Sequence, residues 1–345
     1  MPALTQALTQ SAVQTCVFGL DGIAIAQVPI PEPASGEVLL RLLARPVNPA
    51  DLFSALGVYP GFQPKAMPAI LGLEAVGKVI KLGPNVSGRL KEGQRVVAAE
   101  WQGTAVGNGT WQQYVSVPEE DLVPVPDDLP DEAACQALIN PVTVVGMFTE
   151  LATPKGDWMI VTAAGSALGR QALSYAKHLG VHVIATCRRV EQVAELKEAG
   201  AQEVVVVSDE AGAKALAARA KELTKGRGAW GALDSIAGPS PLQLAPALRT
   251  GGNIILYGAM SSPTVDWHVS EGLFRLIVLK GFWVKEWLGA KPKEEQRAVM
   301  VSVLEMMRSG VLPPAKVDAR PLEAAVEALK DLSVVGRPAK VVLLG

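Results

Sequence analysis

The sequence predicts an α/β protein of two parts: a β-rich domain, and a doubly wound parallel sheet inserted into it. Three observations carry this. Short β-branched segments broken by Pro and Gly fill the first third. From about Asp157, strands alternate with short helices that each end at Gly. A helical final stretch closes on one more strand. With 345 residues the chain exceeds one average domain and accommodates two. The expected division is 1–125 for the β-rich domain, completed by 292–345, and 126–291 for the parallel-sheet domain.

In the first part, segments 37–44 and 74–81 have the alternation of half-buried strands. Pro29, Pro31, Pro33 and Gly36 precede the first, and Pro46, Pro49, Gly57, Pro60, Gly61, Pro64 and Pro68 separate the two. Such punctuation predicts a folded-over sheet with long loops. No fixed-period repeat is visible, which excludes solenoids and propellers. The second part reads as strand 158–162, helix 170–179 closed by Gly180, strand 181–186, helix 191–199 closed by Gly200, and strand 203–207. Helix 211–225 ends at Gly226, strand 231–236 follows, helix 241–248 stops at Gly251-Gly252, and 253–257 returns to strand. Helices 294–309 and 321–332 and strand 340–344 complete the chain.

Composition removes several function classes. Apolar residues are 49% and charged residues 19%, with mean hydropathy +0.25, so the chain has material for a core. Lys and Arg number 32 against 34 Asp and Glu, and with a pI near 6.0 and no basic block a nucleic-acid partner is not expected. No apolar run approaches a membrane span, so no membrane partner is expected either. Cys16, Cys135 and Cys187 are isolated, which excludes a disulfide framework and a four-thiolate zinc site. No Lys or Arg precedes Arg41, so no targeting segment is read and the expected compartment is the cytoplasm.

The first strand-to-helix turn of the second part is Ala163-Ala164-Gly165-Ser166-Ala167-Leu168-Gly169. A dinucleotide pyrophosphate needs close backbone approach, N–H groups at the next helix start and a small residue where helix meets strand. Gly165 and Gly169 supply two of these positions, while Ala163 stands where a first Gly is usual. At the end of the next strand, an NAD site places an acidic group for the ribose 2′-hydroxyl. Here Cys187-Arg188-Arg189 offers two guanidiniums instead, which suit a 2′-phosphate. The expected cofactor is NADP(H).

Four segments then combine: Pro46-Val-Asn48-Pro-Ala-Asp51, Leu71-Gly-Leu73-Glu74-Ala-Val-Gly77, Ile139-Asn140-Pro-Val-Thr143 and the 163–169 turn. In this order and spacing the chain resembles the medium-chain dehydrogenase/reductase superfamily over essentially its whole length. The resemblance implies a GroES-like catalytic domain and a Rossmann cofactor domain. In the superfamily's zinc enzymes a Cys stands near position 48 and a His at position 73. Leu73 cannot ligate metal, no Cys lies between Cys16 and Cys135, and the three His are elsewhere, so no metal is expected. Within the zinc-independent branch, Leu56-Gly-Val-Tyr59-Pro-Gly-Phe62, Gly107-Asn-Gly-Thr110-Trp111 and Gly281-Phe282-Trp283-Val-Lys-Glu-Trp287 resemble motifs of the 2-enoyl thioester reductases of mitochondrial type. That implies NADPH-dependent reduction of an activated C=C bond in a small-molecule substrate, with quinone reduction as the alternative. A non-catalytic NADPH-binding protein is a third reading.

The chemistry needs a hydride at the β-carbon, donors for the enolate oxygen and a proton at the α-carbon. His178 and His182 bracket a helix end, and His268 lies in a polar loop. Tyr114 and Tyr257 fall in strands and Tyr175 in a helix, whereas Tyr59 sits in a Pro/Gly-flanked loop. The resemblance makes Tyr59 the catalytic acid and adds Asn48 and Trp283 to the reacting centre. Asn-Pro-Ala-Asp at 48–51 is also good turn chemistry by itself. For the cofactor the resemblance implies Asn140, Thr143, Gly165, Ser166, Ala167, Leu168, Gly169, Arg188, Arg189, Tyr257, Gly258, Phe282, Trp283 and Lys340. Asn140 and Thr143 are also expected to cap the helix carrying 144–150, and Glu74 is read as a structural acceptor. Trp283 and Trp287, at i, i+4 spacing with Lys285 and Glu286 between, suggest a partly exposed aromatic wall. The apolar run 276–284 is expected to be an edge strand, which aggregates unless covered; in this superfamily its twin covers it, implying a homodimer.

Overall fold

The computed structural model describes residues 8–334 and 336–345. The chain divides into two compact units, one of Met1–Ile139, Leu288–Arg308 and Pro314–Gly345, the other of Asn140–Trp287 and Ser309–Pro313. The first division therefore falls after Ile139 and not after residue 125, and the return comes at Leu288 and not at 292. Arg95 explains the first shift: its guanidinium donates to the carbonyls of Pro126, Asp127 and Leu129 and to the Asp131 carboxylate. Leu138 also packs on the core of the first unit. Residues 309–313 go with the second unit, where Gln171 Nε2 donates to the Pro313 carbonyl at 3.0 Å.

The first unit is built on one central strand, Glu37–Pro46, antiparallel to Val76–Leu82, Tyr114–Pro118 and Lys340–Leu344. Val317–Pro321, Arg95–Ala98 and Leu122–Pro124 extend the sheet, and a smaller sheet joins Thr9–Thr15 to Ile23–Pro29 and Ala69–Ile70. Strand alternation sends Val38, Leu40 and Leu42 into one core with Val79, Val96 and Leu122. A second core gathers Val13, Val47, Leu71, Trp111, Leu329 and Leu343. Each such side chain contributes about 1.5–3 kcal/mol on full burial. Arg45 is completely buried, and its N–H groups donate to the carbonyls of Leu42, Thr110, Gln112, Leu343 and Gly345. Burial holds its guanidinium down at about 9. Helix α1, Pro49–Ala55, leaves the central strand with Pro at its first position, where no N–H is missed.

The second unit starts within helix α2, Ile139–Leu151. Its strands are β1 (Trp158–Val161), β2 (His182–Cys187), β3 (Glu203–Val206), β4 (Ala229–Asp234), β5 (Leu248–Leu256) and β6 (Val278–Gly281). All pair in parallel in the spatial order 3-2-1-4-5-6, the doubly wound order the strand–helix alternation predicts. Helix α3, Ala167–Leu179, follows β1 and closes on Gly180 in the left-handed region.

Two local expectations fail. Gly251-Gly252 does not stop a helix but lies inside β5, because the preceding helix is only Ser240–Leu244 with a 3-10 turn to Ala247. The run 276–284 is a strand only over Val278–Gly281, since Leu276 takes a positive φ of 55° and a new helix starts at Val284. Among the described residues, no helix is long and apolar enough to cross a membrane.

Candidate functional site

In the first unit the sequence Asn48-Pro-Ala-Asp51 turns the central strand into α1. The Asn48 N–H donates to Asp51 Oδ2 at 2.8 Å, closing the helix start as turn chemistry requires. The Asn48 side chain serves another purpose. Its Nδ2 donates to Glu74 Oε1 at 3.0 Å, and its Oδ1 accepts from Lys340 Nζ at 2.6 Å. Glu74 Oε2 accepts the N–H groups of Leu138 and Ile139 at 3.1 and 2.9 Å, and the Lys340 ammonium lies 3.9 Å from Glu74 Oε1. Asn48, Asp51, Glu74 and Lys340 are all buried. Burial pushes the Asp51 carboxyl up to about 8, with the nearby Glu74 charge adding to the rise. Burial also raises Glu74, against the pull of Lys340 and of the N–H groups it accepts.

The 107–111 motif supports this cluster from behind. Thr110 Oγ1 donates to the Glu74 carbonyl at 3.0 Å, and Thr104 Oγ1 to that of Gly72 at 3.1 Å. Gly72 has φ +104°, and a Cβ there would stand 2.4 Å from Trp111 Cδ1, so only Gly fits. Leu73 beside it is buried and aliphatic. Among the described residues, no group of three His, Cys, Asp or Glu is arranged to hold a metal ion. Tyr59 follows α1 in a turn, its N–H donating to the Phe53 carbonyl and its own carbonyl accepting from the Phe62 N–H. Its ring is half-buried against the core that includes Val47 and Trp111.

In the second unit, the expected cofactor residues other than Asn140 and Thr143 lie at the carboxyl edge of the parallel sheet. Gly165–Gly169 follow β1, Arg188 and Arg189 follow β2, Tyr257 and Gly258 follow β5, and Phe282 and Trp283 follow β6. Tyr257 lies one residue beyond the strand, and burial pushes its hydroxyl up to about 12. Ala163 takes φ +45°, the conformation a first Gly would adopt more easily. Ser166 caps α3, its hydroxyl accepting the Gly169 N–H at 3.0 Å. The two glycines have different duties. A Cβ at Gly169 would meet the backbone of Ala163 and Ala164 at 2.7–2.8 Å, so Gly169 lets helix and strand close. A Cβ at Gly165 would meet only the Gln192 amide, at 2.6 Å. The backbone at Gly165 is thus open to anything that displaces one flexible side-chain end. Arg188 and Arg189 are exposed. An open glycine, a capped helix start and two exposed guanidiniums at one sheet edge fit a nicotinamide dinucleotide.

Several expected residues have firm structural duties. Asn140 and Thr143 do not cap a helix at 144, because α2 already starts at Ile139 and holds both inside it. The Phe282 ring lies over Gly146, where a Cβ would come within 2.4 Å of it, and tilts against Trp287 at 6.0 Å. Trp287 Nε1 donates to Glu150 Oε1 at 3.2 Å, and Glu150 also pairs with Lys280. Trp283 is half-buried, with the Lys285 ammonium 5.7 Å from its ring. Lys340 meets Asn48 and Glu74 inside the first unit.

Sequence reasoning missed Gln192, and it missed Asp234, the last residue of β4. Asp234 accepts from the hydroxyls of Thr162 and Ser240 at 2.7 and 2.8 Å, and from the N–H groups of Ile236 and Ala237 at 3.3 and 3.1 Å. Ala237 and Gly238 both take positive φ there, so the carboxylate sustains a strained turn at the sheet edge. The available signal was a lone acid ending an apolar strand.

Comparisons agree with this geometry. Residues 34–127 match the model of the alcohol dehydrogenase GroES-like domain, and residues 167–303 that of the zinc-binding dehydrogenases. A mitochondrial enoyl-(acyl-carrier-protein) reductase of Caenorhabditis elegans is 34% identical over 304 residues, covering 86% of this chain and 83% of that protein. A Bacillus thuringiensis structure given the name NADPH:quinone reductase superposes with TM-score 0.87 at 30% identity, covering 98% of this chain and 100% of the other. A mycobacterial structure complexed with NADPH gives TM-score 0.83 at 27% identity, with 97% and 100% covered. With a GroES-like unit, a doubly wound unit and Leu at position 73, the chain belongs to the zinc-independent branch of the medium-chain dehydrogenase/reductase superfamily and is a nicotinamide-dependent oxidoreductase.

Proposed function

We propose that the protein uses NADPH to reduce the C=C bond of a trans-2-enoyl thioester. When bound, the cofactor supplies the hydride for the β-carbon. Tyr59 gives its phenolic proton to the α-carbon and recovers one from water, leaving a saturated thioester. Asn48 offers an amide to the reacting centre, where a donor stabilises the negative charge that develops on the thioester oxygen. Trp283 lines the substrate site. Arg188 and Arg189 favour the 2′-phosphate of NADP(H) over the bare hydroxyl of NAD(H).

The observation that carries the reading is the acid inventory of the first unit. His178, His182 and His268 all belong to the second unit, so a proton donor on the GroES-like unit must come from elsewhere. Tyr59 is half-buried there on the core that holds Val47, next to the clamped Asn48 in sequence. The name of the Caenorhabditis elegans relative supports the same substrate class.

The test is Tyr59→Phe, assayed with crotonyl-thioester and with a quinone, each with NADPH and NADH. Enoyl reduction should fall by about 10²–10⁴-fold, the usual contribution of a positioned general acid. Quinone reduction should hardly change, because that acceptor needs no dedicated carbon acid–base step. An enoyl rate left intact would reject Tyr59 as donor. The quinone alternative draws on the name of the Bacillus thuringiensis structure, and a wild-type enzyme active only on quinones would select it.

We also propose that the working form is a homodimer. Among the described residues, strand β6 pairs only with β5, and Phe274, shortly before it in the chain, is 77% exposed. Sedimentation equilibrium showing a monomer at assay concentration would reject this.

A further inference from the structure

The polar cluster of the first unit has more order than a structural filler needs. An asparagine amide can be turned end for end with little change of shape, so its orientation must be set by partners of opposite demand. Glu74 accepts only, and Lys340 donates only. The first takes a hydrogen of Asn48 Nδ2 at 3.0 Å, the second a lone pair of Oδ1 at 2.6 Å. Turned over, the amide would face its oxygen toward a carboxylate and its NH₂ toward an ammonium. Neither partner is adrift. Glu74 is anchored by the Leu138 and Ile139 N–H groups, and Lys340 is the first residue of a strand that pairs with the central strand of the sheet. The hydrogen bonds to charged groups also polarise the amide in one sense, from carboxylate to ammonium.

We infer that Glu74 and Lys340 are positioning residues which fix the Asn48 amide in one orientation, leaving its second N–H as the donor that the reaction uses. The donor role of Asn48 rests on the enoyl-reductase reading proposed above, whereas the clamp itself does not. Lys340 on this account acts through Asn48, and not as the cofactor ligand that the sequence resemblance implies.

The experiment compares Glu74→Ala, Glu74→Gln and Lys340→Met with wild type in kcat and KM for crotonyl-thioester and in NADPH affinity by fluorescence. Glu74→Ala and Lys340→Met should lower kcat on the order of tenfold or more, equivalent to one lost transition-state contact. The dissociation constant for NADPH should stay within about threefold, since the clamp acts on the reacting end alone. Glu74→Gln keeps an acceptor and should retain more of kcat than Glu74→Ala. An unchanged kcat in both deletions overturns the inference, as does Lys340→Met weakening NADPH binding while kcat is kept.

If the deletions do not fold, the nearly isosteric Asn48→Asp removes the donor and decides the same point: full activity in that variant overturns the proposal. The side-chain amide of Asn48 gives a readout independent of the reaction. In the wild-type ¹H–¹⁵N spectrum its two protons, assigned by their loss in Asn48→Asp, should be widely separated and slow to exchange. A pair at the positions of an exposed amide overturns the clamp whatever the substrate is. A wild-type protein with the clamped spectrum but no enoyl reductase activity rejects the substrate reading and the donor role, and leaves the clamp standing.

Discussion

Glu74 in the GroES-like unit and Asp234 in the Rossmann unit are both buried carboxylates with every close partner a donor, yet the donors differ in kind. Around Asp234 they are two hydroxyls and two backbone N–H groups, all neutral and all within the same sheet edge. Around Glu74 they are two backbone N–H groups, a side-chain amide and, at 3.9 Å, an ammonium. The first set holds backbone shape, because the turn at Ala237-Gly238 runs through two positive-φ residues. The second set holds a side chain in one orientation. Burial of an ion is tolerated in each case only because its acceptor capacity is used.

The largest expected effect tests the Asp234 half of this contrast. Asp234→Ala leaves the Thr162 and Ser240 hydroxyls and two N–H groups without their acceptor. Each donor left unsatisfied costs about 1–3 kcal/mol, so the variant should lose several kcal/mol in urea denaturation. Asp234→Asn, which keeps one acceptor oxygen, should lose distinctly less. Equal losses in the two variants would mean that the carboxylate's shape matters and its acceptor capacity does not.

A smaller effect sharpens the Glu74 half through its neighbour Asp51. That carboxyl moves from an ordinary 3.8 up to about 8 in the folded chain. The folded state therefore holds a proton that the unfolded state has released between these values. Stability from this group is fully present below about pH 4 and is lost as pH rises toward 8, at no more than about 1.4 kcal/mol per pH unit. Asp51→Asn carries no such proton, so its melting temperature should fall less between pH 5 and pH 8 than that of the wild type. Parallel profiles would show that Asp51 is charged throughout.

The smallest effect on stability concerns the phosphate turn. Gly165→Ala displaces only the Gln192 amide and should change stability by less than about 0.5 kcal/mol, while weakening NADPH binding. Gly169→Ala drives a methyl into backbone and should cost about 1–3 kcal/mol. A reversal of that order would exchange the duties assigned to the two glycines.

The Rossmann unit was legible in the sequence because each of its strands is a short apolar run between local helix signals, and all consecutive strands except β3 and β4 are neighbours in the sheet. Its misread places are those where a local signal has two meanings. Gly251-Gly252 looks like a helix stop yet lies within a strand, and the apolar run 276–284 hides the positive φ of Leu276. The GroES-like unit was legible in its strands and in Asn48 and Tyr59 as candidates, but its polar cluster was not. Lys340 and Asn48 stand 292 positions apart, and no local pattern joins them. Glu74 could be read as an acceptor from its type, but what it accepts depends on a third distant segment at Leu138.

Arg45 has a consequence for how the molecule is made. It reaches across 298 positions to the carbonyl of Leu343, in a strand that lies directly beside the central one. On the ribosome, the whole Rossmann unit emerges between the two halves of this contact. The inserted unit can mature while its host still lacks an inner strand, and the buried guanidinium waits for its last acceptors until late in synthesis.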